Sequence, residues 1–485
     1  MESLTKFVTS DKTGIAASQG GVKSDTRHQG AGKQKNKIPK AVWALSVSFL
    51  FLGGGSAAWA QGSASPTSDD ETYQTTQDIQ DLTMQEAVQK AVTWYPSISE
   101  ALGRLYQQNE QVTVARSGYL PQVDAGLSSQ FRTSTDQTEE AFNVTASQLL
   151  YDFGKVENDV NAELFGVERD QARVLLAIDQ LALQVAKAVI DIQRFETLLT
   201  IAEDQVDGVT EIQALAERRS QLGASTRSDE VQAQSRVEAA RAALEQYGSQ
   251  LSISRNNLKR LVGAQGPVSV ADTLPDDLLQ VCSSVSEQFS NVPEIMVADA
   301  QREEARAQIA RREADFYPTV SAEAGFNQFI NQTGNGDDSD VSLGLNISSS
   351  LYKGGATRAQ KRSADYVLQA LEASKDNVMI ELQKRLQDAR EQARSAKSQI
   401  AILSKRVAGM ELTQELYRQQ YLSLGTRSLL DLLNAEEEAQ QAKIGMENAR
   451  YDMYAAQLDC LYASSGFRGM FNISDEAVQG VSLSP

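Results

Sequence analysis

The sequence passes through the same succession of elements twice, and the two copies lie about 200 residues apart. In each copy a helical pattern stops at an aromatic-containing segment that ends in proline, two alternating segments follow, and a helical pattern resumes after glycine. The matching positions are Pro121 and Pro318, Gly154 and Gly355, Gly223 and Gly425, and Asp229 and Asp431. A tandem duplication of a helix, a β-hairpin and a long helix is the simplest account of this pattern.

The first 60 residues predict a secretory signal peptide. Eight Lys or Arg precede an almost wholly apolar or small run at residues 41–55, which is followed by Ala58-Trp59-Ala60. This order predicts cleavage after Ala60. An uncleaved membrane anchor is the alternative, although the apolar run is short and ends in Gly and Ser. Residue 61 is Gln rather than Cys, so a lipid-anchored mature terminus is not indicated.

Charge and residue usage exclude several classes of function. Without residues 1–60 the chain keeps 38 Lys or Arg against 61 Asp or Glu, a formal charge of −23, which repels nucleic acid and anionic headgroups. The only histidine, His28, lies in the signal, so His-dependent catalytic triads and His-ligated metal sites are excluded. We therefore expect no enzyme, no catalytic residue, no metal and no cofactor. Cys282 and Cys460 form either a disulfide or two buried thiols.

Long helices are predicted because residues 122–266 and 319–484 contain no proline and are rich in Ala, Gln, Glu, Leu and Arg. The predicted helices cover about residues 86–117, 155–222, 228–262, 297–315, 356–423 and 428–463. The helix at 155–222 would reach on the order of 100 Å. Its apolar stripe is narrow and Ala-rich, which favours lateral packing in a helical wall and oligomerisation.

Two alternating segments in each repeat predict four amphipathic β-strands of about ten residues. They lie at about residues 123–131, 142–150, 320–326 and 341–351, and the acidic, turn-rich segments 133–140 and 331–340 are predicted external loops. A small soluble β-domain would explain either hairpin alone. Four strands leave open edges, which a bilayer forbids, whereas three chains would supply twelve strands and close the sheet.

Together, the signal, the duplication, the hairpins and the prolines resemble the TolC family of outer-membrane export channels. The most specific segment is residues 425–435, which is similar to the helix-turn-helix tip of the family's second repeat and closest to members that serve type I secretion of large adhesins. Residues 223–229 are similar to the equivalent first tip. The resemblance implies a mostly α fold with a β-barrel contribution: duplicated long-helix hairpins form a trimeric α-helical barrel plus a 12-stranded transmembrane β-barrel, with four strands per chain.

The predicted organisation has five parts. They are the signal peptide (1–60), the first structural repeat (61–262, strands about 121–151), an inter-repeat linker or equatorial segment (263–293), the second repeat (294–466, strands about 318–352) and a C-terminal tail (467–485). The implied location is the outer membrane of a Gram-negative cell, extending into the periplasm.

The resemblance also implies functional residues at the tips, which in the family hold the periplasmic end of the tunnel closed. Asp229 and Arg427 match gate-bond partners between neighbouring coils, and Asp431 matches an acidic ring at the constriction. Asn434 replaces a second family acid, which should weaken cation block, and Tyr421 lies one residue further from Gly425 than the family's gate tyrosine. The implied adaptor-docking residues are Gly223, Arg227, Gly425, Thr426, Leu429 and Leu430. Turn formation, helix capping and the helix dipole would also explain Gly425, Ser428 and Asp431 without any gate.

The expected function is a homotrimeric passive conduit, the exit duct of a tripartite export system. A periplasmic adaptor (membrane fusion) protein would connect it to an inner-membrane ABC transporter or antiporter, which supplies the energy. Type I secretion of a protein is the preferred function, and multidrug efflux is the alternative. A second alternative is an exported coiled-coil structural or adaptor protein without a pore.

Overall fold

A computed structural model describes residues 80–132, 137–330, 338–473 and 478 of the 485-residue chain. The predicted signal peptide, residues 133–136 and 331–337 of the two predicted external loops and most of the predicted C-terminal tail lie outside the described residues. Most of the described residues in the two predicted loops belong to strands instead. Residues 137–140 belong to a strand and so do residues 339–340, because strand pairing continues beyond the segments of clear apolar alternation.

The elements follow the predicted succession. The first half contains β1 (Gln80–Leu82), α1 (Met84–Trp94), α2 (Pro96–Ser117), β2 (Gln122–Arg132), β3 (Gln137–Tyr151), α3 (Lys155–Gln221) and α4 (Arg227–Val262). The second half contains β4 (Val268–Val270), a 3₁₀ turn (Asp276–Gln280), α5 (Val281–Ser284), α6 (Pro293–Ala314), β5 (Thr319–Phe329), β6 (Ser339–Ser348), α7 (Ala356–Gln419), a π-helical turn (Gln420–Leu424), α8 (Leu429–Ala463) and α9 (Phe467–Met470). The predicted helix at about 86–117 is interrupted at Tyr95, because Pro96 lacks an N–H and begins a new helix instead.

The long helix α3 is the common neighbour of the helical array. It packs against α2, α4, α6 and α8, whereas α7 packs against α6 and α8. The predicted apolar stripe of α3 is confirmed, since all five of its members are buried: Ile178, Leu181, Val185, Val189 and Ile192. Burial of each such side chain contributes about 1.5–3 kcal/mol, so packing of the stripe, rather than helix propensity alone, holds a 67-residue helix in place. In the part of the chain that is described, no helix is both long and apolar enough to cross a bilayer.

The four predicted strands form one antiparallel sheet in the order β2-β3-β5-β6. Its register joins the two repeats, because Val123 pairs with Ala146, Ala146 with Ala324, and Ala324 with Leu343. One face carries apolar side chains exposed to the surroundings in the single chain: Val123, Leu127, Phe131, Val341, Leu343, Leu345 and Ile347. The sheet therefore has an unburied apolar face and two outer strands, β2 and β6.

Two separate cores stabilise the helices. The main core surrounds the middle of α3 and includes the parallel β1–β4 pair, α1 and α9. A disulfide joins Cys282 in α5 to Cys460 in α8, with a Cα–Cα distance of 5.2 Å, which settles the open question of the two cysteines. The second core, here called the tip core, lies near the far end of α3. Its members are Val209, Ile212, Ala216, Ala233, Val237, Tyr421, Leu429, Leu432 and Leu433.

One charged pair lies within the main core. Asp179 of α3 is 2% exposed and lies 3.5 Å from Nε of Arg468 in α9. Burial raises the pKa of Asp179 to about 6, and the nearby guanidinium offsets part of that increase. Arg468 thus links the C-terminal helix to the central helix of the array.

Candidate functional site

The candidate site consists of two helical tips, one from each repeat. The first tip (residues 219–229) connects α3 to α4, and the second tip (residues 417–431) connects α7 to α8. Each turn begins at a glycine in the left-handed region, Gly223 with φ 72° and Gly425 with φ 61°. A side chain at either glycine would meet no neighbouring atom, so the backbone conformation is what favours glycine there. Three residues later in each tip the next helix is capped.

The two caps have the same geometry. In the first tip, Thr226 Oγ1 accepts a hydrogen bond from Asp229 N at 3.2 Å, and Thr226 N donates to Asp229 Oδ2 at 3.1 Å. In the second tip, Ser428 Oγ accepts from Asp431 N at 3.2 Å, and Ser428 N donates to Asp431 Oδ2 at 3.0 Å. Both are reciprocal capping boxes with aspartate as the returning acceptor. The alternative role of Asp431 and Ser428 in capping is thus realised.

Hydrogen bonds to the carboxylates keep both aspartates ionised. The Ser225 hydroxyl and the Thr226 N–H lower the pKa of Asp229, and the Ser428 N–H and hydroxyl lower the pKa of Asp431. A charge at each position is therefore available to a partner outside the chain. Asp431 is half-buried in the chain, and Asn434 is exposed.

Asn434 and Arg236 connect the two repeats beside the tips. Arg236 Nη2 of α4 donates to Asn434 Oδ1 at 3.3 Å, and its Nη1 forms an ion pair with Glu437 of α8. An aspartate at 434 would accept the same hydrogen bond with an added charge. The neutral Asn434 leaves Asp431 as the acid at the predicted constriction.

The predicted gate-bond residues each have contacts inside their own tip. The guanidinium of Arg427 lies over the ring of Tyr417, 4.1 Å from its centroid, and its Nε donates to Gln420 Oε1 at 3.0 Å. The Asp229 carboxylate accepts hydrogen bonds within the first tip. A bond between Asp229 and Arg427 of neighbouring coils therefore stays a prediction about the assembled protein.

Tyr421 occupies the π-helical turn that ends α7. A π turn holds one residue more than an α-helical turn, and it coincides with the one-residue offset of Tyr421 from the family pattern. The ring is 4% exposed and belongs to the tip core, and burial raises the pKa of the phenol. The side chain thus serves packing as well as any gate.

Five of the six predicted adaptor-docking residues are exposed: Gly223, Arg227, Gly425, Thr426 and Leu430. Leu429 is 4% exposed and packs in the tip core. Its neighbour Leu430, at 42% exposure, is the accessible leucine of the pair.

Sequence reasoning missed several side chains that join the repeats near the tips. Arg219 of α3 contacts Tyr421, and Arg418 of α7 forms an ion pair with Glu211 of α3. Glu436 is buried against Gly208, where an added Cβ would come within 2.6 Å of Glu436 Oε1. One signal was present for Arg219: it precedes Gly223 by four residues, as Tyr421 precedes Gly425. No group of three or more His, Cys, Asp or Glu in the described residues could hold a metal ion.

Comparison with known proteins decides the family. The family described as outer membrane efflux protein matches residues 87–264 and 285–466, which is more than half of the chain. The chain belongs to this family. The family model thus matches one segment in each half of the chain.

Individual relatives are distant but cover most of the chain. The outer membrane efflux protein BepC of Brucella suis biovar 1 is 24% identical over 74% of this chain and 79% of its own length. The alkaline protease secretion protein AprF of Pseudomonas aeruginosa is 23% identical over 67% of this chain and 69% of its own. Among solved structures, the outer membrane protein VceC of Vibrio cholerae has a TM-score of 0.69 and 18% identity, covering 79% of this chain and 96% of that one.

These comparisons confirm the resemblance to the TolC family and the fold class. The chain is an outer-membrane channel protein that extends into the periplasm, and its homologues are efflux or secretion channels. Because members of the family are passive channels, the chain is not an enzyme. Channels of this family are homotrimers that work with periplasmic adaptors and inner-membrane transporters.

Proposed function

We propose that three copies of this chain form the exit duct of a tripartite export system that serves type I secretion of a protein. The proposal includes a periplasmic adaptor, which docks at the exposed tip residues, and an inner-membrane ABC transporter, which supplies the energy. The mature chain adds no catalytic step and acts as a passive, gated conduit.

Trimer formation is supported by the sheet. Among the described residues, each of its outer strands, β2 and β6, has one unpaired side, and an unpaired backbone group in lipid costs several kcal/mol. Its apolar face is exposed, with Leu343 at 83%. Pairing of β6 of one protomer with β2 of the next would satisfy both edges, and three protomers would close a twelve-stranded sheet whose apolar face meets lipid.

The proposal that the exported substrate is a protein rests on the second tip and the start of α8 that follows it. The segment from Gly425 to Ala435 is similar to that of secretion channels, and AprF, a relative over most of the chain, is named for protease secretion. Efflux of small molecules is the competing proposal, and it is favoured by the name and the coverage of BepC.

A deletion experiment in the natural host separates these two functions. Loss of the gene should remove at least one large protein from the culture medium, whereas susceptibility to a panel of dyes and antibiotics should stay unchanged. Complementation with the wild-type gene should restore the secreted protein. The opposite pattern, hypersusceptibility with an intact set of secreted proteins, would replace secretion by efflux. A protein that leaves the outer membrane as a monomer in mild detergent would contradict both.

Gate residues are proposed on the same basis. Asp229 and Arg427 would bond between neighbouring coils, and Asp431 would form a ring of three carboxylates at the constriction. Asp229→Ala or Arg427→Ala should raise the resting conductance of the extracted channel in planar bilayers. Asp229→Asn is the matched variant, because it keeps an acceptor for Thr226 N and removes only the charge. Wild-type conductance in both alanine variants would remove these residues from the gate.

A further inference from the structure

Arg219 makes an unusual contact between the two repeats. It lies in the last turn of α3, and its guanidinium stacks over the ring of Tyr421, 4.5 Å from the ring centroid. Its Nη1 donates a 2.9 Å hydrogen bond to the backbone oxygen of Tyr421. Two different interactions thus fix the same residue of the second repeat from one side chain of the first.

The backbone oxygen of Tyr421 is a suitable acceptor because it lies in the last turn before Gly425. Carbonyl groups in the last turn of a helix lack intrahelical hydrogen-bond donors. A cationic side chain or another N–H group can donate to them instead. Arg219 supplies that cation from another helix. Its charge also complements the negative end of the α7 dipole.

The environment makes this contact stronger than a surface ion pair. Tyr421 is 4% exposed, and Nε of Arg219 is buried with no hydrogen-bond partner among the described residues. In the described part of the chain, the guanidinium contacts the ring face and the carbonyl and has no ion pair with a carboxylate. By contrast, the parallel link between Arg418 and Glu211 is an ion pair with both side chains exposed, which solvent screens.

We propose that Arg219 is a positioning residue of the gate, a latch that holds the π-helical turn of the second tip against α3 in the closed channel. The inference rests on the proposed gating at the tips and deepens it. It assigns Tyr421 a different part from the one that the family resemblance implies. The ring face and the backbone oxygen carry the contact, and the hydroxyl is not required.

Single-channel conductance in planar lipid bilayers tests the latch. Arg219→Gln removes the stacked charge and should raise the open-to-closed ratio about tenfold or more, because a charge-assisted hydrogen bond is lost. Arg219→Lys keeps a donor but not the planar stack, so its effect should be intermediate. Tyr421→Phe keeps the ring and the carbonyl, so it should open the channel clearly less than Arg219→Gln does. Arg218→Gln, at the exposed neighbouring position, is the matched control.

Hydrogen exchange of the extracted trimer gives a second measurement that does not depend on conduction. Amides of residues 417–431 should exchange faster in Arg219→Gln than in Arg218→Gln or Tyr421→Phe. Equal behaviour of the two glutamine variants in both assays would overturn the latch. If Tyr421→Phe opens the channel as much as Arg219→Gln does, the latch is also overturned. The closing contact of Tyr421 would then be made by its hydroxyl.

The two proposals fail differently. If Asp229→Ala opens the channel while Arg219→Gln changes neither conductance nor exchange, the gate stands and the latch is wrong. If neither the wild-type protein nor any variant conducts, but Arg219→Gln accelerates exchange at residues 417–431, the proposed conduit function is wrong. The contact between Arg219 and Tyr421 then still stands.

Discussion

The two tips have the same turn but different interiors. Glycine, the N-cap and the returning aspartate occur at equal spacing in both, and both capping boxes form. The residues just inside the caps differ. Leu433, two residues after the second tip, is 1% exposed in the tip core, whereas Val231, two residues after the first tip, is 61% exposed. After duplication, the positions that fix the backbone kept their chemistry and the packing positions diverged.

The helices that lead into the tips differ as well. The α3 helix reaches Gly223 without a change of helix type, whereas α7 passes through a π turn before Gly425. At four residues before the glycine the first tip has Arg219 and the second has Tyr421, and these two side chains meet. The divergence therefore produced a complementary pair from equivalent positions. The second tip supplies the apolar surface and the first supplies the cation.

The largest test of this comparison is truncation at the matching packing positions. Leu433→Ala should cost about 2–5 kcal/mol in local stability, because it empties part of the tip core. Val231→Ala should change the stability by less than about 0.5 kcal/mol, as expected for an exposed side chain. Hydrogen exchange of the α8 and α4 N-terminal turns in the extracted protein measures both. Equal, large costs would show that Val231 is covered by a neighbouring protomer.

Much of this architecture could be predicted from the sequence, because its signals are local. Proline-free, Ala-rich segments and a helical apolar stripe predicted the long helices. The alternation of apolar and polar residues predicted four strands near their true positions. The stop at Tyr95 was missed because Pro96 fits the first turn of a new helix and interrupts little of the pattern around it. Strand limits were less exact, since pairing partners rather than apolar residues define them: β3 begins at Gln137, before its predicted start at about 142, and β6 ends at Ser348, before its predicted end at about 351.

The contacts between the repeats could not be predicted in the same way. Arg219 and Tyr421 are about 200 residues apart in the sequence, and their equal spacing from Gly223 and Gly425 does not show that the two side chains meet. The amino-acid composition of residues 420–424 does not distinguish the π turn that contains Tyr421 from an α-helical turn. Leu429 and Leu430 are adjacent leucines, and only the rotation of α8 decides that Leu429 is buried while Leu430 is exposed. The pairing of Cys282 with Cys460 likewise depends on how the linker folds against α8.

A smaller effect should appear equally in both tips. Thr226→Ala and Ser428→Ala each remove an N-cap acceptor and should each cost about 1 kcal/mol. Because both boxes have the same geometry, the two costs should agree, and distant sites should add in the double variant. Ser228→Ala, at an exposed position beside the first cap, is the control. A cost confined to Ser428→Ala would mean that the Thr226 cap contributes nothing to the stability of the first tip.

The smallest effect is a pH dependence shared by the two tips. The folded-state pKa values of Asp229 and Asp431 lie below the ordinary aspartate value, because serine hydroxyls and backbone N–H groups donate to the carboxylates. Their stabilisation is therefore complete above a pH of about 4 and is lost as the pH falls through the lowered pKa values. Hydrogen exchange, corrected for the intrinsic rate, should show both tips loosening together below a pH of about 4.

Asp179 provides an internal control of opposite sign, because its pKa of about 6 is raised by burial. Protection around it should increase as the pH falls from about 6 towards 4, since the neutral acid is cheaper to bury than the ion. Asp229→Asn and Asp431→Asn should each remove the acid-induced loosening of their own tip only. Loosening of the tips already between about pH 7 and 5 would contradict the capping role, since a carboxylate with a lowered pKa does not titrate there.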